Sequence, residues 1–379
     1  MLYFSKIKII FIYLIIVFLT LFALTNLLDK NDNFILSKKI NLGLDLQGGS
    51  YLLLEVDSSP IVNQNLQQKL ISLRKELKKN NIKYKNFKIS NQIITFELSD
   101  TDIDKFEKFF LDKENSINTY YNQYRSYEME YSLNLNTISL EYSKFGLIEI
   151  NKSALDQSIE IVRRRIDEVG TNEPNILKRG NNRVLVELPG LDDPARIKSL
   201  LGKTANLTFQ LVSSDESDGF GTETLKFDND VEVATVSKRI ILNGDNLIDA
   251  KPTMDTLNNE TVVSFTLDRL GAKKFGRATT ENVGRQLAII LDGKIISAPS
   301  ISEPIVAGSG QISGDFTFQS ATDLALLLRS GALPAPLNII EERTVGPDLG
   351  KDSINAGIIS LIVGFSLVIM FMIYKYRIF

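Results

Sequence analysis

Two stretches free of charged side chains, residues 9–28 and 354–374, bracket this chain and limit its architecture before any other feature does. They hold 20 and 21 residues, and each spans roughly 30 Å as a helix, the thickness of a bilayer's hydrocarbon core. Lys6 and Lys8 precede the first, and Lys375 and Arg377 follow the second. Positive charge stays on the cytoplasmic side, so both ends (residues 1–8 and 375–379) are expected inside and residues 29–353 outside. A cleaved leader is the alternative for the first stretch. Its apolar run exceeds an ordinary leader core, and Ala23-Leu24-Thr25 is a poor cleavage site, so a retained anchor is expected.

The chemistry open to the outer region is narrow. Among 379 residues there is no His, Cys or Trp. Without Cys there is no disulfide framework, thiol nucleophile or thiolate metal site, and without His no Ser-His-Asp arrangement. The adjacent carboxylates Glu341-Glu342 and Asp192-Asp193 make no acid/base dyad, because strand neighbours face opposite ways and Asp193 is needed as a helix cap. Asp315 and Asp323 lack the clustered partners a metal requires. No enzymatic activity and no cofactor are expected. With the four flanking basic residues set aside, residues 29–353 carry 39 Lys and Arg against 46 Asp and Glu, a net charge of −7. An acidic region with scattered Lys argues against nucleic-acid binding.

Past a polar connector at residues 29–39 comes Gly43-Leu44-Asp45-Leu46-Gln47-Gly48-Gly49, then an apolar strand at 50–56. This glycine loop is no phosphate cradle, since no Gly-Lys-Ser/Thr follows and it enters a strand instead of a helix N-terminus. Its glycines imply close backbone approach. Ser59-Pro60 opens a helix with Val62, Leu66, Leu70, Leu73 and Leu77 on one face, leaving Lys69, Lys75, Lys78 and Lys79 as a solvated face. Residues 93–98 read as a strand, Ile103, Phe106, Phe109 and Phe110 as a helix face, and the alternation over 127–135 as a half-buried strand. Residues 60–150 or so thus form a small α+β insertion.

Ser153 with Asp156 makes a capping-box pattern, followed by Leu155, Ile159, Val162, Ile166 and Val169 at helical spacing and a stop at Gly170. Arg163, Arg164 and Arg165 point three ways around that helix and are expected to form structural ion pairs. A strand at 183–188, a helix capped by Asp193 with Pro194 at its first position, and a strand at 207–212 come next. This β-α-β-α-β order, closed by a helix at Leu324 and a strand at 337–345, predicts a ferredoxin-like sheet with helices on one face. Residues 213–313 leave that sheet and return. They hold an acidic connector at 213–221, a strand at 262–267, a helix at 273–282, and a hairpin whose Asp292-Gly293 suits a type I′ turn. An insert entered and left by paired connectors can swing as a unit.

The segment LALLLRSGALPAPLNIIEERTVGPDLG, residues 324–350, links the folded region to the second apolar stretch. A short helix through Leu324, Leu327 and Leu328 is expected to end on Gly331 in a left-handed cap. Pro334 and Pro336 forbid continuation and stiffen the link, and the strand at 337–345 runs through Gly346-Pro347 into the membrane. A stiff connector with little slack suits transmission of force.

GLDLQGG, the run RRRIDEVGTNEP with VELPG after it, TTENVGRQLAIILDGKIISAPSISEPI and the 324–350 segment all resemble the SecD family of protein-export membrane proteins, in the resistance-nodulation-division superfamily. The resemblance is weak over residues 61–150. It implies an α+β architecture with two transmembrane helices flanking a periplasmic base (29–212), an inserted α+β head (213–313) and a base completion with connector (314–350). It also implies a role in late, proton-motive-force-driven translocation of preproteins across the inner membrane, with SecF, the SecYEG translocon with SecA, unfolded preprotein and the lipid bilayer as partners. On that reading the coupling residues are Gly43, Asp45, Leu46, Gln47, Gly48, Gly49, Arg329, Gly331, Pro334 and Pro336. Unfolded chains offer backbone and apolar groups, and Val263, Phe265, Ile289, Leu291 and Ile295 are the candidate contacts. Members of the family have six membrane spans with an acidic proton-relay residue in a later one. Neither apolar stretch here holds Asp, Glu, Lys, Arg or His, so the chain is expected to be the N-terminal part of such a protein. A doubly anchored periplasmic adaptor and a small-molecule exporter of the same superfamily are the alternatives.

Overall fold

The computed structural model of the chain describes residues 6–24, 48–170, 174–190, 194–213, 221–255 and 260–376. The connector at 29–39, most of that at 213–221, and Asp192 and Asp193 lie outside these residues. The described residues within 49–344 form one compact unit, and those of the two flanking stretches group apart from it.

The first apolar stretch is helical as α1 (Lys6–Leu24); residues 25–28 of the expected span lie outside the described residues. Within α1, residues Ile7–Thr20 make an apolar helix shorter than a full span.

β1 (Gly49–Val56) leads directly into α2 (Ser59–Lys79), which buries Val62, Leu66, Leu73 and Leu77. There follow β2 (Tyr84–Ser90), β3 (Ile93–Leu98), α3 (Asp100–Phe110), the two-stranded ribbon β4 (Tyr120–Tyr121) and β5 (Ser126–Tyr127), β6 (Met129–Asn134) and β7 (Thr137–Tyr142). Strands β2, β3, β7 and β6 form an antiparallel sheet in that order. Its core holds Phe96, Phe106 and Phe110, and the ring pairs lie 5.5 and 5.1 Å apart. Burying each ring contributes about 1.5–3 kcal/mol. Two expectations need correction here. Lys69 is half-buried and partnered instead of lying free on a solvated face: its ammonium donates to Ile117 O and pairs with Glu128 at 2.7 Å. The alternation over 127–135 does not continue as one half-buried strand, because β6 lies at a sheet edge, Leu133 is exposed, and Leu135 turns the hairpin at φ 54°.

α4 (Lys144–Val169) begins well before the expected start at Ser153. Ser143 caps it, its hydroxyl accepting from Gly146 N at 3.0 Å, and Gly146 fits because a Cβ there would sit 2.1 Å from Glu128 O. Gly170 ends the helix in the left-handed conformation, φ 79° and ψ 30°, as the sequence requires. β8 (Asn175–Arg179), β9 (Arg183–Pro189) and α5 (Pro194–Gly202) follow.

The next strands are β10 (Leu207–Val212), β11 (Thr222–Lys226), β12 (Val233–Asn243), β13 (Leu247–Asp255) and β14 (Glu260–Leu267), then α6 (Arg269–Glu281). β15 (Leu287–Leu291) and β16 (Lys294–Ser297) form the expected hairpin, with Asp292 and Gly293 at φ 51° and 81°. β17 (Ser309–Phe316) and α7 (Phe318–Ser330) lead to β18 (Leu337–Val345) and α8 (Pro347–Tyr376). Residues Asp352–Lys375 of α8, of mean hydropathy 2.6, are long and apolar enough to cross a membrane.

The sheet β18-β1-β9-β8 has α4 and α5 against it, Leu155, Val162, Ile166, Ile197 and Leu201 packing on Leu52, Leu54, Val184 and Val186. Strands one to four of this unit, in chain order, stand in the spatial order four-one-three-two, with one helix after the first and one after the third. That is the ferredoxin-like arrangement. The strand at 207–212 is not part of it. β10 is the middle of a five-stranded sheet, β11-β12-β10-β15-β16, and buries Leu207, Thr208, Phe209 and Gln210 in succession, which suits a strand covered on both faces. Nor does α7 simply close the first sheet. Its Ala321, Leu324, Ala325 and Leu328 enter the core of Phe209, Phe265 and Phe275, beside the sheet β13-β14-β17, while Leu326 and Leu327 pack on Leu200 and Ala205.

Candidate functional site

The residues singled out as coupling elements fall into two places. Gly43, Asp45, Leu46 and Gln47 lie outside the described residues. Gly48 and Gly49 have φ 72° and 133°, and a Cβ on Gly49 would stand 2.2 Å from Leu188 O. The expected close backbone approach is thus present where β1 meets the end of β9, at the Gly49–Pro189 pair.

The second place is the link after α7. Gly331 has φ 91° but ψ 166°, so it is not the left-handed cap expected of it. This is an extended backbone open to glycine, and it turns the chain out of the helix in one residue. The link is also stitched down along its length. Leu333 N donates to Thr204 O at 2.8 Å, Pro336 O accepts from Asp57 N at 3.0 Å, and Leu333, Ala335 and Leu337 are buried in the ferredoxin-like core. Pro334 walls a neighbouring cleft with Ile61 and Tyr121. Arg329, in the last turn of α7, pairs with Glu168 of α4 at 2.5 Å.

At the centre of this region lies Arg165, for which ion pairing is the expectation from sequence. It is 1% exposed and reads carbonyls instead: Leu200 O at 2.7 Å, Lys203 O at 2.5 Å, and Thr204 O and Gly331 O at 3.2 Å each. Burial holds its guanidinium down to about 10, and the Asp292 carboxylate opposes that shift. The sequence does carry a signal for this, since Arg165 sits between Val162 and Ile166 on the buried stripe of α4 while Arg163 and Arg164 are exposed. The loop that Arg165 grips, residues 203–206, is held from its other side by the β15–β16 turn. Asp292 accepts from Ala205 N at 3.1 Å, from Asn206 N at 2.8 Å and from the Thr204 hydroxyl. Ala205 between them has φ 60°, a left-handed conformation that costs a non-glycine residue about 1–2 kcal/mol. Neighbouring ion pairs join α5 to α7 through Arg196 and Asp323 at 2.8 Å, and α5 to β18 through Lys198 and Glu342 at 2.6 Å.

The candidate polypeptide contacts are mostly core. Val263, Phe265 and Ile289 lie inside the cluster around Phe209, and Ile295 is fully buried in a second cluster with Val236 and Ile290. Strand periodicity marks a buried residue without saying whether a partner or the fold buries it. Leu291 differs. It lines a cleft of about 610 Å³ whose floor also includes Ile296, Leu324 and Leu327. Lys203 and Lys294 stand on the rim with Asp228 and Asp315. An apolar floor with rim charges of both signs fits an extended chain of mixed sequence better than a single small anion or cation. Among the described residues no cluster of three or more carboxylates could hold a metal.

Three family models match parts of the chain: the SecD/SecF GG motif at residues 34–60, the N-terminal part of the P1 domain of protein translocase subunit SecDF at 155–214, and the SecDF P1 head subdomain at 222–335. The chain is 41% identical over 368 residues to protein translocase subunit SecD of Rickettsia bellii (strain RML369-C), covering 95% of this chain and 69% of that protein. It is 39% identical over 390 residues to SecD of Acetobacter pasteurianus (strain NBRC 105184 / IFO 3283-01), covering 99% and 72%. A crystal structure of SecDF in its super-membrane-facing form matches 98% of this chain and 40% of that one, at 25% identity and a TM-score of 0.50.

Proposed function

The chain belongs to the SecD family of protein translocase subunits, and on that premise we propose that it assists the late, proton-motive-force-driven movement of preproteins across the inner membrane. The cleft beside Leu291 carries this reading. It offers emerging polypeptide a part-apolar lining and charges of both signs, and Lys203 on its rim and Leu327 on its floor come from the segments that adjoin the Arg165 joint. The strands from β11 to β17 serve as a head that holds the client, and the ferredoxin-like sheet serves as the base. The glycines at 43–49 and the Arg329–Pro336 link couple the base to the membrane. Residues 9–28 and 354–374 cross the bilayer with both ends cytoplasmic. They hold no Asp, Glu, Lys, Arg or His, so the proton path lies in other segments. SecF, SecYEG with SecA, and the client chain are the partners.

Photo-crosslinking in cells tests the cleft. A photoreactive residue at Ile296 or Leu291 should capture a stalled preprotein, and one at exposed Leu135 should not. Equal capture at all three positions, or none at any, would remove the cleft from the reading.

A further inference from the structure

We infer that residues 203–206 form a relay that reports occupancy of the cleft to the ferredoxin-like base, with Asp292 as its latch. The inference rests on the reading of the cleft as a polypeptide site. The loop is bonded in two opposite senses. Its carbonyls, at Lys203 and Thr204, accept from Arg165 of α4, and its donors, Ala205 N, Asn206 N and the Thr204 hydroxyl, all go to the one carboxylate of Asp292. α4 belongs to the ferredoxin-like unit and Asp292 to the tip of the β15–β16 hairpin, so four residues carry the bonds from both sides.

Three observations make this loop a switch and not a plain linkage. Ala205 is held at φ 60°, and its N–H is one of the groups Asp292 takes, so release of the carboxylate frees a strained residue to relax. Lys203 lines the cleft while its carbonyl is held by Arg165, so a guest seated against this residue bears on the loop at its first position. Leu291, next to Asp292 in sequence, lies on the floor of the same cleft, so a guest pressing there acts on the latch as well. A second contact runs parallel: Asp323 on the cleft wall takes Arg196 of α5, and a cationic guest side chain competes for it. Small displacements are amplified only where two arrangements of a packed element are available, and a strained loop with a removable latch meets that condition.

Hydrogen exchange on the full chain in detergent micelles tests the relay, with reduced, carboxymethylated lactalbumin as a permanently unfolded probe. On binding, exchange of the segment 203–206 should quicken by about tenfold as the latch opens. Asp292→Asn, which keeps the turn but weakens the latch, should show fast exchange with or without the probe while the cleft still cross-links to it. Thr204→Val, which removes only the hydroxyl, should give an intermediate rate and a native circular dichroism spectrum. If the probe cross-links to the cleft and exchange at 203–206 is the same with and without it, the relay is wrong and the polypeptide site stands. If the probe fails to cross-link to the cleft, the site and the relay fall together.

Discussion

Arg165 and Gly331 are 166 residues apart in sequence and meet in space, the guanidinium donating to the glycine carbonyl at 3.2 Å. The same side chain holds the carbonyls of Leu200, Lys203 and Thr204. Arg165→Met keeps the apolar stem and removes every donor. Each buried carbonyl left without a partner costs about 1–3 kcal/mol. We expect a loss of at least about 3 kcal/mol by urea denaturation, against a few tenths for Arg164→Met on the exposed side of the same turn. Equal effects of the two substitutions would mean that the carbonyl network contributes nothing.

Gly49 and Gly331 should fail differently when given a side chain. At Gly331 nothing lies within 4 Å of where a Cβ would stand, so Gly331→Ala meets only the backbone cost of φ 91°, about 1–3 kcal/mol. At Gly49 the methyl would also strike Leu188 O at 2.2 Å, so Gly49→Ala should cost at least about 3 kcal/mol, strain and overpacking together. Gly202→Ala, with open space and no positive φ, is the neutral control. Denaturation midpoints in the order Gly202, Gly331, Gly49 check the argument, and a reversed order for the last two would refute the steric part of it. Unchanged export by a full-length protein carrying Gly331→Val would count against a coupling role for that link.

Alkali should loosen the segment between α2 and α4 first. Burial pushes Tyr121 up to about 12, a hydrogen bond to Glu107 does the same for Tyr131, and burial pushes Tyr142 further still. The unfolded chain releases these protons near pH 10. The folded state therefore binds more protons between about pH 10 and 12, and the stability these groups confer is complete below that window and lost as pH rises through it. Arg165 works the other way, since its folded value of about 10 lies below the ordinary 12.5. Three tyrosines outweigh one arginine, and the net slope is downward. Tyrosinate absorbance should show a late-ionising subset whose titration coincides with loss of ellipticity. If all 12 tyrosines ionise together near pH 10 with the fold intact, the assigned shifts are wrong.

Local pattern carries the strands well and their partners poorly. The strands at 93–98, 207–212 and 337–345 and the Asp292-Gly293 turn stand where alternation and turn chemistry put them. Which sheet β10 joins is not legible, because a run of buried residues states that both faces are covered without saying by what. The start of α4 escapes the pattern for a related reason. Ser143 caps through Gly146, with no Glu or Gln at the third position, while Ser153 and Asp156 imitate a cap in mid-helix. Arg165 shows the deeper limit. A charge in a buried phase needs partners, and here they are backbone carbonyls, which leave no trace in side-chain sequence.

The neighbours Ile295 and Ile296 separate core from cleft within one strand. Ile295 is fully buried beside Val236 and Ile290, so Ile295→Ser removes packing and adds a hydroxyl without a partner; a loss of about 2–5 kcal/mol of stability is expected. Ile296 is the extra residue of a bulge in the β15–β16 ladder, where Ile290 pairs with Ile295 and Ile289 with Ser297, and it lines the cleft with Leu291. Ile296→Ser should cost the fold less and weaken capture of unfolded polypeptide by about tenfold, the worth of a buried aliphatic side chain lost from a binding floor. Thermal melts and binding of a fluorescent unfolded chain, measured on both variants, decide the matter. A floor built for a client predicts that Ile296→Ser lowers affinity with little change in melting. If the two substitutions instead lower melting equally and leave affinity alone, Ile296 is core like its neighbour and the cleft holds no client.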